Sequence, residues 1–291
     1  MIRETDILLV GATYFSLGFA SVHPGCTIIE AGQILGTDFH QSIRPADVSG
    51  IGERERTTLL ARMMEAEQVW EKDRFDVLKA APVLHKFVLE LENPLDILLD
   101  ARILSIESPG EGGIGAAGAE ARDLKASGRA AKRPGSYLVK YRDNEGLHTL
   151  RCRKLLDTTM CRDTWPGGVV CTDKTLNVFT VSLSEDMEKK LKSVCPECEV
   201  IEGVKEGEKT VRFPIRPEED ALSAYRQVTE LWKRAFPEGE EKILFAAEDF
   251  EYAMEERTDE KGPCPWHGRK YADPLTAFAA GTVYRIEEEK G

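Results

Sequence analysis

The sequence contains no apolar run approaching the ~20 residues that a membrane-spanning helix needs. It also has no surplus of basic residues: 51 Asp and Glu stand against 39 Lys and Arg, giving a net charge of −12 across 291 residues. Because such a field repels phosphate backbones and anionic lipids, we expect no nucleic acid and no membrane among the partners. The start of the chain lacks the pattern of a signal peptide, and the seven cysteines are odd in number, so we expect a reducing, cytoplasmic location.

Several catalytic signatures are absent as well. There is no G-x-S-x-G elbow, no H-E-x-x-H helix and no Walker loop, which weighs against the hydrolase, zincin and P-loop classes. The composition, 42% hydrophobic and 31% charged, is that of an ordinary globular protein. The length suffices for one large domain or two modest ones.

A strand–turn–helix–strand pattern opens the chain. Residues 6–11 form a continuous apolar run that predicts a strand buried on both faces, and residues 12–22 predict a short helix. A second apolar run, 26–30, ends on the carboxylate of Glu30. Since Glu30 follows Gly11 at about the 20-residue separation found in dinucleotide-binding folds, the pattern predicts a βαβ unit of that type.

Two glycine-containing stretches are candidates for a phosphate-binding turn. Gly113 to Gly118 matches G-x-G-x-x-G, but the stretch 108–135 around it is rich in Gly, Ala and Ser, and we interpret it as a mobile loop. The turn at Gly11 has the right context, yet Thr13 and Ser16 stand at its second and third glycine positions. A side chain at the second position lies where phosphate oxygens would go, so the fold is indicated more strongly than the binding.

The rest of the chain predicts a mixed architecture. Helices are expected over 53–70 and 75–91, the second broken by Pro82, with a strand over 97–106 and a hairpin centred on 143–146 that is followed by a buried strand at 154–157. After residue 175, apolar stretches at 178–183, 200–201 and 210–215 predict an antiparallel sheet, and 218–236 predicts an amphipathic helix. We therefore expect an α/β fold, with a Rossmann-like FAD/NAD(P)-binding domain over 1–170 and a smaller α+β substrate-type domain over 171–291 that includes a C-terminal return segment.

The order of these segments resembles the FAD-dependent oxidoreductase family, as a degenerate or truncated member. The resemblance lies in Val10-Gly11-x-Thr13-x-x-Ser16, in Ile28-Ile29-Glu30-Ala31 and in Ile34-Leu35-Gly36-Thr37. It continues in Leu155-Leu156-Asp157-Thr158-Thr159-Met160, which is similar to a later strand of that family ending Asp-Ala-Thr-Gly. Met160 departs from that pattern, and the family's Gly-Asp motif near the flavin ribityl chain has no counterpart here.

The resemblance implies an FAD site. Gly11 would make the tight turn, with Thr13 and Ser16 beside it. Glu30 would accept the ribose hydroxyls, and Gly36, Thr37 and Thr159 would lie near the pyrophosphate or the flavin. The implied function is an FAD-dependent oxidoreductase acting on a small organic substrate. The alternative is a degenerate homologue without flavin that serves as a binding or partner subunit, and the partner is then another subunit or a second copy of the chain in a homo-oligomer. No catalytic residue is identified. His40, after the Gly36 loop, could face the flavin, and the alternative is a surface or capping residue.

A metal site is a third hypothesis. Cys195-x-x-Cys198 and Cys264-x-x-His267 together offer four ligands that suit tetrahedral zinc, each pair in a turn containing proline. The alternative is two unrelated Cys-Pro turns, and we assign no metal. A redox dithiol at Cys195 and Cys198 has less support, because no clear helix follows to lower a thiol pKa.

Overall fold

The computed structural model describes residues 2–107, 114–115, 135–160, 173–239, 241–252, 257–259 and 266–286. Most of the predicted loop 108–135 lies outside these ranges, as does Cys264. Of the six residues in the Gly113 to Gly118 pattern, only Ile114 and Gly115 are described. Within the described ranges, no helix combines the length and the apolar character that crossing a membrane requires.

Seven helices and seventeen strands are present in the described part of the chain. The helices are α1 Tyr14–Val22, α2 Glu53–Arg56, α3 Leu59–Ala66, α4 Val77–Glu90, α5 Glu185–Val194, α6 Ala221–Ala235 and α7 Pro274–Val283. The strands are β1 Ile2–Val10, β2 Cys26–Ile29, β3 Ala46–Asp47, β4 Trp70–Glu71, β5 Arg74–Phe75, β6 Asp96–Leu98, β7 Arg102–Glu107, β8 Ile114–Gly115, β9 Tyr137–Asp143, β10 Gly146–Asp157, β11 Lys174–Val181, β12 Glu199–Glu202, β13 Glu208–Ile215, β14 Phe245–Ala246, β15 Glu251–Tyr252, β16 Arg257–Asp259 and β17 Trp266–Gly268.

The first sheet is built around five parallel strands. Their spatial order is β6-β2-β1-β10-β17, in which the third, second, first, fourth and fifth parallel strands along the chain follow one another. This is the order of a doubly wound dinucleotide-binding sheet. The apolar carboxyl half of β1 is buried between β2 and β10, and α1 joins β1 to its parallel neighbour β2, as the opening pattern predicts.

The helices α1 and α7 pack against each other on one face of this sheet. A Cβ atom at Gly18 would overlap the carbonyl oxygen of Phe278, and one at Gly281 would overlap the carbonyl oxygen of Phe15. Each helix therefore needs a glycine where the backbone of the other crosses it. This contact fixes the C-terminal return segment onto the N-terminal βαβ unit.

The second sheet has the order β12-β13-β11-β14, with β15 pairing with the start of β11, and all its pairings are antiparallel. Helices α5 and α6 pack on its apolar side, and Leu176, Val178, Phe213 and Trp232 form the centre of that core. Helix α5 was not predicted: seven of its ten residues are charged or polar, and Leu191 alone is fully buried.

The predicted helical region 53–93 differs in detail. Pro82 does not break α4, which continues from Val77 to Glu90. Pro82 lies on the exposed side of the helix, where a carbonyl that lacks its N–H partner can bond to solvent. The predicted helix 53–70 is instead α2, α3 and β4, interrupted where Gln68 adopts a positive φ of 53°.

The strand predicted over 97–106 is also two strands. β6 and β7 are separated by Asp100, whose φ of 52° turns the chain. The predicted hairpin is confirmed: β9 and β10 pair antiparallel around the turn between Asp143 and Gly146.

Candidate functional site

The turn after β1 forms as the sequence predicts. Gly11 has a φ of +91°, its N–H donates to the carbonyl of Ile29 at 2.8 Å, and a Cβ there would lie 2.8 Å from Thr159 Cγ2. Glycine is required both by the positive φ and by the close approach of Thr159. The carboxyl ends of β1, β2 and β10 thus meet at this turn.

Thr13 and Ser16 occupy the interior of the turn. Thr13 is the N-cap of α1: its hydroxyl oxygen accepts the N–H of Ser16 at 3.1 Å and donates to the Thr158 hydroxyl at 3.0 Å. The Ser16 hydroxyl donates to the carbonyl of Gly11 at 2.7 Å. Both side chains are buried, so they belong to the packing of the turn.

Glu30 bonds to the two loops at the end of its strand. Its Oε2 accepts the N–H of Ala12 and its Oε1 accepts the N–H of Gly32, both at 2.8 Å. Burial raises the pKa of this carboxyl, although these N–H groups and the Thr37 hydroxyl oppose the increase. Both carboxylate oxygens of Glu30 therefore accept hydrogen bonds within the protein, and its contact with a ribose stays a prediction.

Asp38 takes the place at the N-terminus of α1 where this type of fold binds an anion. Its Oδ1 accepts the N–H of Tyr14, the first residue of the helix, at 3.1 Å. Burial raises the pKa of Asp38 to about 6, against the opposing effects of the Tyr14 N–H and of Arg44. The carboxylate and the helix terminus therefore satisfy each other.

The loop containing Gly36 and Thr37 folds back onto this turn. Gly36 donates its N–H to the Ala12 carbonyl at 2.6 Å, and Thr37 donates to the same oxygen at 3.3 Å. Gly36 has a φ of +68°, and a Cβ there would contact the rings of Tyr14 and His40. The loop therefore lies beside the turn at Gly11, as predicted for a dinucleotide site, but the rings of Tyr14 and His40 cover Gly36.

His40 is a structural residue. Its Nδ1–H donates to the Leu35 carbonyl at 2.6 Å, and its Nε2 accepts from the Tyr14 hydroxyl at 2.9 Å. Burial lowers the pKa of His40 to about 4, so the ring is neutral. With both nitrogens bonded inside the core, this ring is not available for chemistry on a ligand.

The space left beside these residues is small. Thr13, Glu30, Thr37 and Asp38 line one side of a cavity of about 80 Å³, and residues 249–252 line the other. Pockets for drug-sized ligands usually measure about 300–1,000 Å³. The residues present therefore do not fit the pyrophosphate of an FAD, because the Asp38 carboxylate holds its position at the N-terminus of α1.

A buried charge network borders the same cavity. Glu251 accepts two bonds from Arg212, at 2.8 and 2.9 Å, one from Asn177 at 2.8 Å and one from Lys270 at 3.1 Å. Arg44 lies 3.6 Å from the same carboxylate. Burial on its own raises the pKa of Glu251, but Arg212, Asn177 and Lys270 outweigh it and hold the pKa below its usual value. The network joins the first sheet's loops to the second sheet.

A larger cleft of about 490 Å³ lies between the two sheets' domains. Its walls come from the segment 43–47, from the start of α4 with the strand before it, and from residues of β11, β12 and β13. Phe179, Val200 and Leu78 give it apolar surface, while Arg212 connects it to the charge network. The sequence analysis did not identify this cleft.

The proposed zinc ligands are not gathered within the described residues, where no group of three or more His, Cys, Asp or Glu side chains could hold a metal. Cys198 is buried in the second core, and its pKa is raised to about 11 by burial and by Cys195, which argues against a reactive dithiol. His267 stacks on Phe15 at 4.1 Å, and its Nε2 lies 2.9 Å from the Tyr271 hydroxyl. The fourth ligand, Cys264, lies outside the described ranges.

Sequence reasoning missed Asp38 and the residues around Glu251. One signal was available for Asp38, because it directly follows Gly36-Thr37, the loop expected to approach the pyrophosphate. An acidic side chain there conflicts with an anionic ligand. The network of Arg44, Arg212 and Glu251 had no comparable signal, since these residues lie far apart in the chain.

Comparison with known proteins gives structural likeness alone. No family model and no curated protein matches the sequence. The structure resembles p-nitrophenol 4-monooxygenase PnpA from Pseudomonas putida DLL-E4, with a TM-score of 0.50 and 10% identity over 84% of this chain and 67% of that one. It also resembles the substrate-free rebeccamycin biosynthetic enzyme REBC (TM-score 0.48, 12% identity, 86% and 54% covered) and aklavinone-11 hydroxylase in complex with FAD and aklavinone (0.40, 14%, 84% and 53%).

The similarity to the p-nitrophenol monooxygenase shows the fold of this chain. The chain has the fold of the p-nitrophenol monooxygenase, with a Rossmann-like domain and a second, antiparallel α+β domain, and this confirms the predicted fold class. It spans about two thirds of the length of the p-nitrophenol monooxygenase and about half of the length of the other two proteins.

Proposed function

We propose that this chain is a small-molecule-binding protein built on the fold of FAD-dependent oxidoreductases, and that it holds no resident FAD. Its ligand binds in the cleft between the two domains. The observation that carries the proposal is the contrast between a cleft of about 490 Å³ and a dinucleotide position reduced to about 80 Å³. The first volume suits a small organic ligand and the second does not.

The lining of the cleft indicates the chemistry of that ligand. Phe179, Val200 and Leu78 offer apolar surface for a ring or an aliphatic body, and Thr210 adds a hydroxyl. The acidic side chains exceed the two arginines, Arg74 and Arg212; they are Asp47, Asp73, Asp76, Glu202 and Glu208. Because this surplus disfavours an anion, we expect a neutral or cationic molecule with an apolar body.

Three probes of one shape and different charge test this proposal: naphthylmethylamine, naphthalenemethanol and naphthoate, each titrated by calorimetry. We expect the amine or the alcohol to bind at least fivefold more tightly than naphthoate, a difference of about 1 kcal/mol. Saturable binding of naphthoate as the tightest of the three, or of none of them, contradicts the proposed ligand class.

A pair of leucines on α4 locates the binding. Leu78 lines the cleft, whereas Leu89 is on the same helix, exposed and away from it. Leu78→Ser should weaken binding of the preferred probe about fivefold through lost apolar contact, and Leu89→Ser should leave it unchanged. Equal affinities for the two variants would place the ligand elsewhere.

The second candidate is an FAD-dependent oxidoreductase acting on a small organic substrate. It is supported by the βαβ unit with Glu30 at the end of β2, and by the fold's likeness to a protein named as a p-nitrophenol monooxygenase. An aromatic substrate in the cleft would then be the natural choice. The flavin content of the purified protein separates the two candidates.

A partner subunit and a homo-oligomer stay predictions, as does the cytoplasmic location. If the chain acts as a subunit, its mass by light scattering should exceed the 32.5 kDa of one chain, either alone or after mixing with its partner. A single-chain mass under all conditions would favour a stand-alone binding protein.

A further inference from the structure

We infer that Asp38, together with Thr13, is the device that keeps FAD and other adenine dinucleotides out of this fold's dinucleotide position. The inference rests on the proposed absence of a resident FAD and names the residues responsible for it. It concerns two side chains, because the surrounding backbone has the geometry that such a ligand would need.

The backbone framework is intact. Gly11 makes the tight turn, the nine-residue helix α1 starts directly after it, and Glu30 stands at the end of the neighbouring parallel strand with a bond to Ala12. These are the elements that place a pyrophosphate at a helix terminus and a ribose near a carboxylate. The obstacle therefore lies in what fills the framework.

Asp38 fills the anion position. Its carboxylate accepts the first helical N–H, from Tyr14 at 3.1 Å, and so uses a donor that a phosphate oxygen would otherwise take. Arg44, which lines the same cavity, is already engaged by Glu251 at 3.6 Å and by the Tyr271 carbonyl. A pyrophosphate entering here would meet the like charge of Asp38, and among the described residues that line this cavity Arg44 is the single basic side chain.

Thr13 obstructs the same position from the turn. Its hydroxyl is fixed by the N–H of Ser16 at 3.1 Å and by the Thr158 hydroxyl at 3.0 Å, so the side chain cannot swing aside without losing both bonds. A glycine at this position would let the ligand approach the backbone, at a small cost because glycine is a tolerable N-cap.

The test is a gain of binding in the full-length chain. Wild type, Asp38→Ala, Thr13→Gly and the double variant are titrated with FAD and with ADP, which carries the pyrophosphate and ribose without the flavin. We expect no saturable binding to wild type at millimolar ligand, a measurable gain in each single variant, and a dissociation constant for ADP at least tenfold lower in the double variant. Circular dichroism and the melting temperature verify that each variant is folded.

Two further variants make the test specific. Asp249→Ala removes a carboxylate from the opposite wall of the same cavity, and it should gain nothing. Asp38→Asn keeps an acceptor for the Tyr14 N–H and removes only the charge. Its affinity for ADP should therefore rise less than that of Asp38→Ala. If the double variant does not fold, Asp38→Asn provides the test in its place. A folded double variant that binds ADP no better than wild type, or an equal gain in Asp249→Ala, overturns the inference. Stoichiometric FAD on the wild-type protein would instead overturn the proposed function.

Discussion

The two cavities of this molecule differ in how much space their side chains leave for a ligand. At the N-terminus of α1, Thr13, Glu30 and Asp38 each bond to backbone or side-chain groups of the chain itself, and about 80 Å³ remains. In the interdomain cleft, apolar and charged side chains border about 490 Å³ of open space. Under the proposed function, a topology that elsewhere serves a dinucleotide is retained here as a scaffold, and the ligand binds between the domains.

The largest effect is expected at the charge network that separates the two cavities. Glu251→Gln leaves Arg44, Arg212 and Lys270 around a neutral amide, and we expect the free energy of unfolding to fall by about 3 kcal/mol, since breaking a buried ion pair strands its partners. Urea denaturation measures this.

The matched control is Glu199→Gln, which removes an exposed partner of the same Arg212, 3.0 Å away. It should cost less than about 1 kcal/mol. If the two variants lose the same stability, the network does not hold the domains together as described.

The next effect concerns the close contact between helices α1 and α7. In Gly18→Ala the added methyl group overlaps the Phe278 carbonyl, and we expect a net loss of about 2–3 kcal/mol even though alanine favours a helix by about 1 kcal/mol. Gly50→Ala, where the added atom meets nothing within 4 Å, should be nearly neutral. Equal melting temperatures for the two variants would mean that α1 and α7 are not in close contact.

The smallest effect is a pH-dependent gain. Folding raises the pKa of Asp38 from 3.8 to about 6, so the folded state disfavours the ionised form: the penalty is complete above about pH 6 and vanishes as pH falls below about 4. Asp38→Asn should therefore be more stable than wild type by on the order of 1–2 kcal/mol at pH 8. This free energy is smaller than the whole pKa shift of Asp38 would give, because the side chain is partly exposed and solvent screens its charge.

The stability difference between Asp38→Asn and wild type should shrink towards zero at pH 4, as measured by thermal unfolding across that range. Asp220, the exposed N-cap of α6, has a lowered pKa and should behave in the opposite way, with Asp220→Asn slightly less stable at pH 8. A difference at Asp38 that grows as the pH falls would contradict the assigned environment.

Local sequence patterns were sufficient to predict the βαβ unit, but they could not predict which side chains fill the space at the end of its strands. The apolar runs, the turn at Gly11 and the carboxylate at Glu30 predict the βαβ unit, because each depends on neighbours in the sequence. The role of Asp38 depends on a loop folding back onto the start of α1, and that of Arg44 on residues more than 200 positions away, such as Glu251. Pro82 shows the same limit, since its tolerance depends on which side of α4 faces solvent.

The most direct test of the account is the flavin content and FAD affinity of the wild-type protein, measured by its visible absorbance after purification and by titration with FAD. We predict no flavin bands and no saturable binding, because we infer that Asp38 and Thr13 occupy the position of the pyrophosphate. A yellow protein with one tightly bound FAD per chain would contradict it.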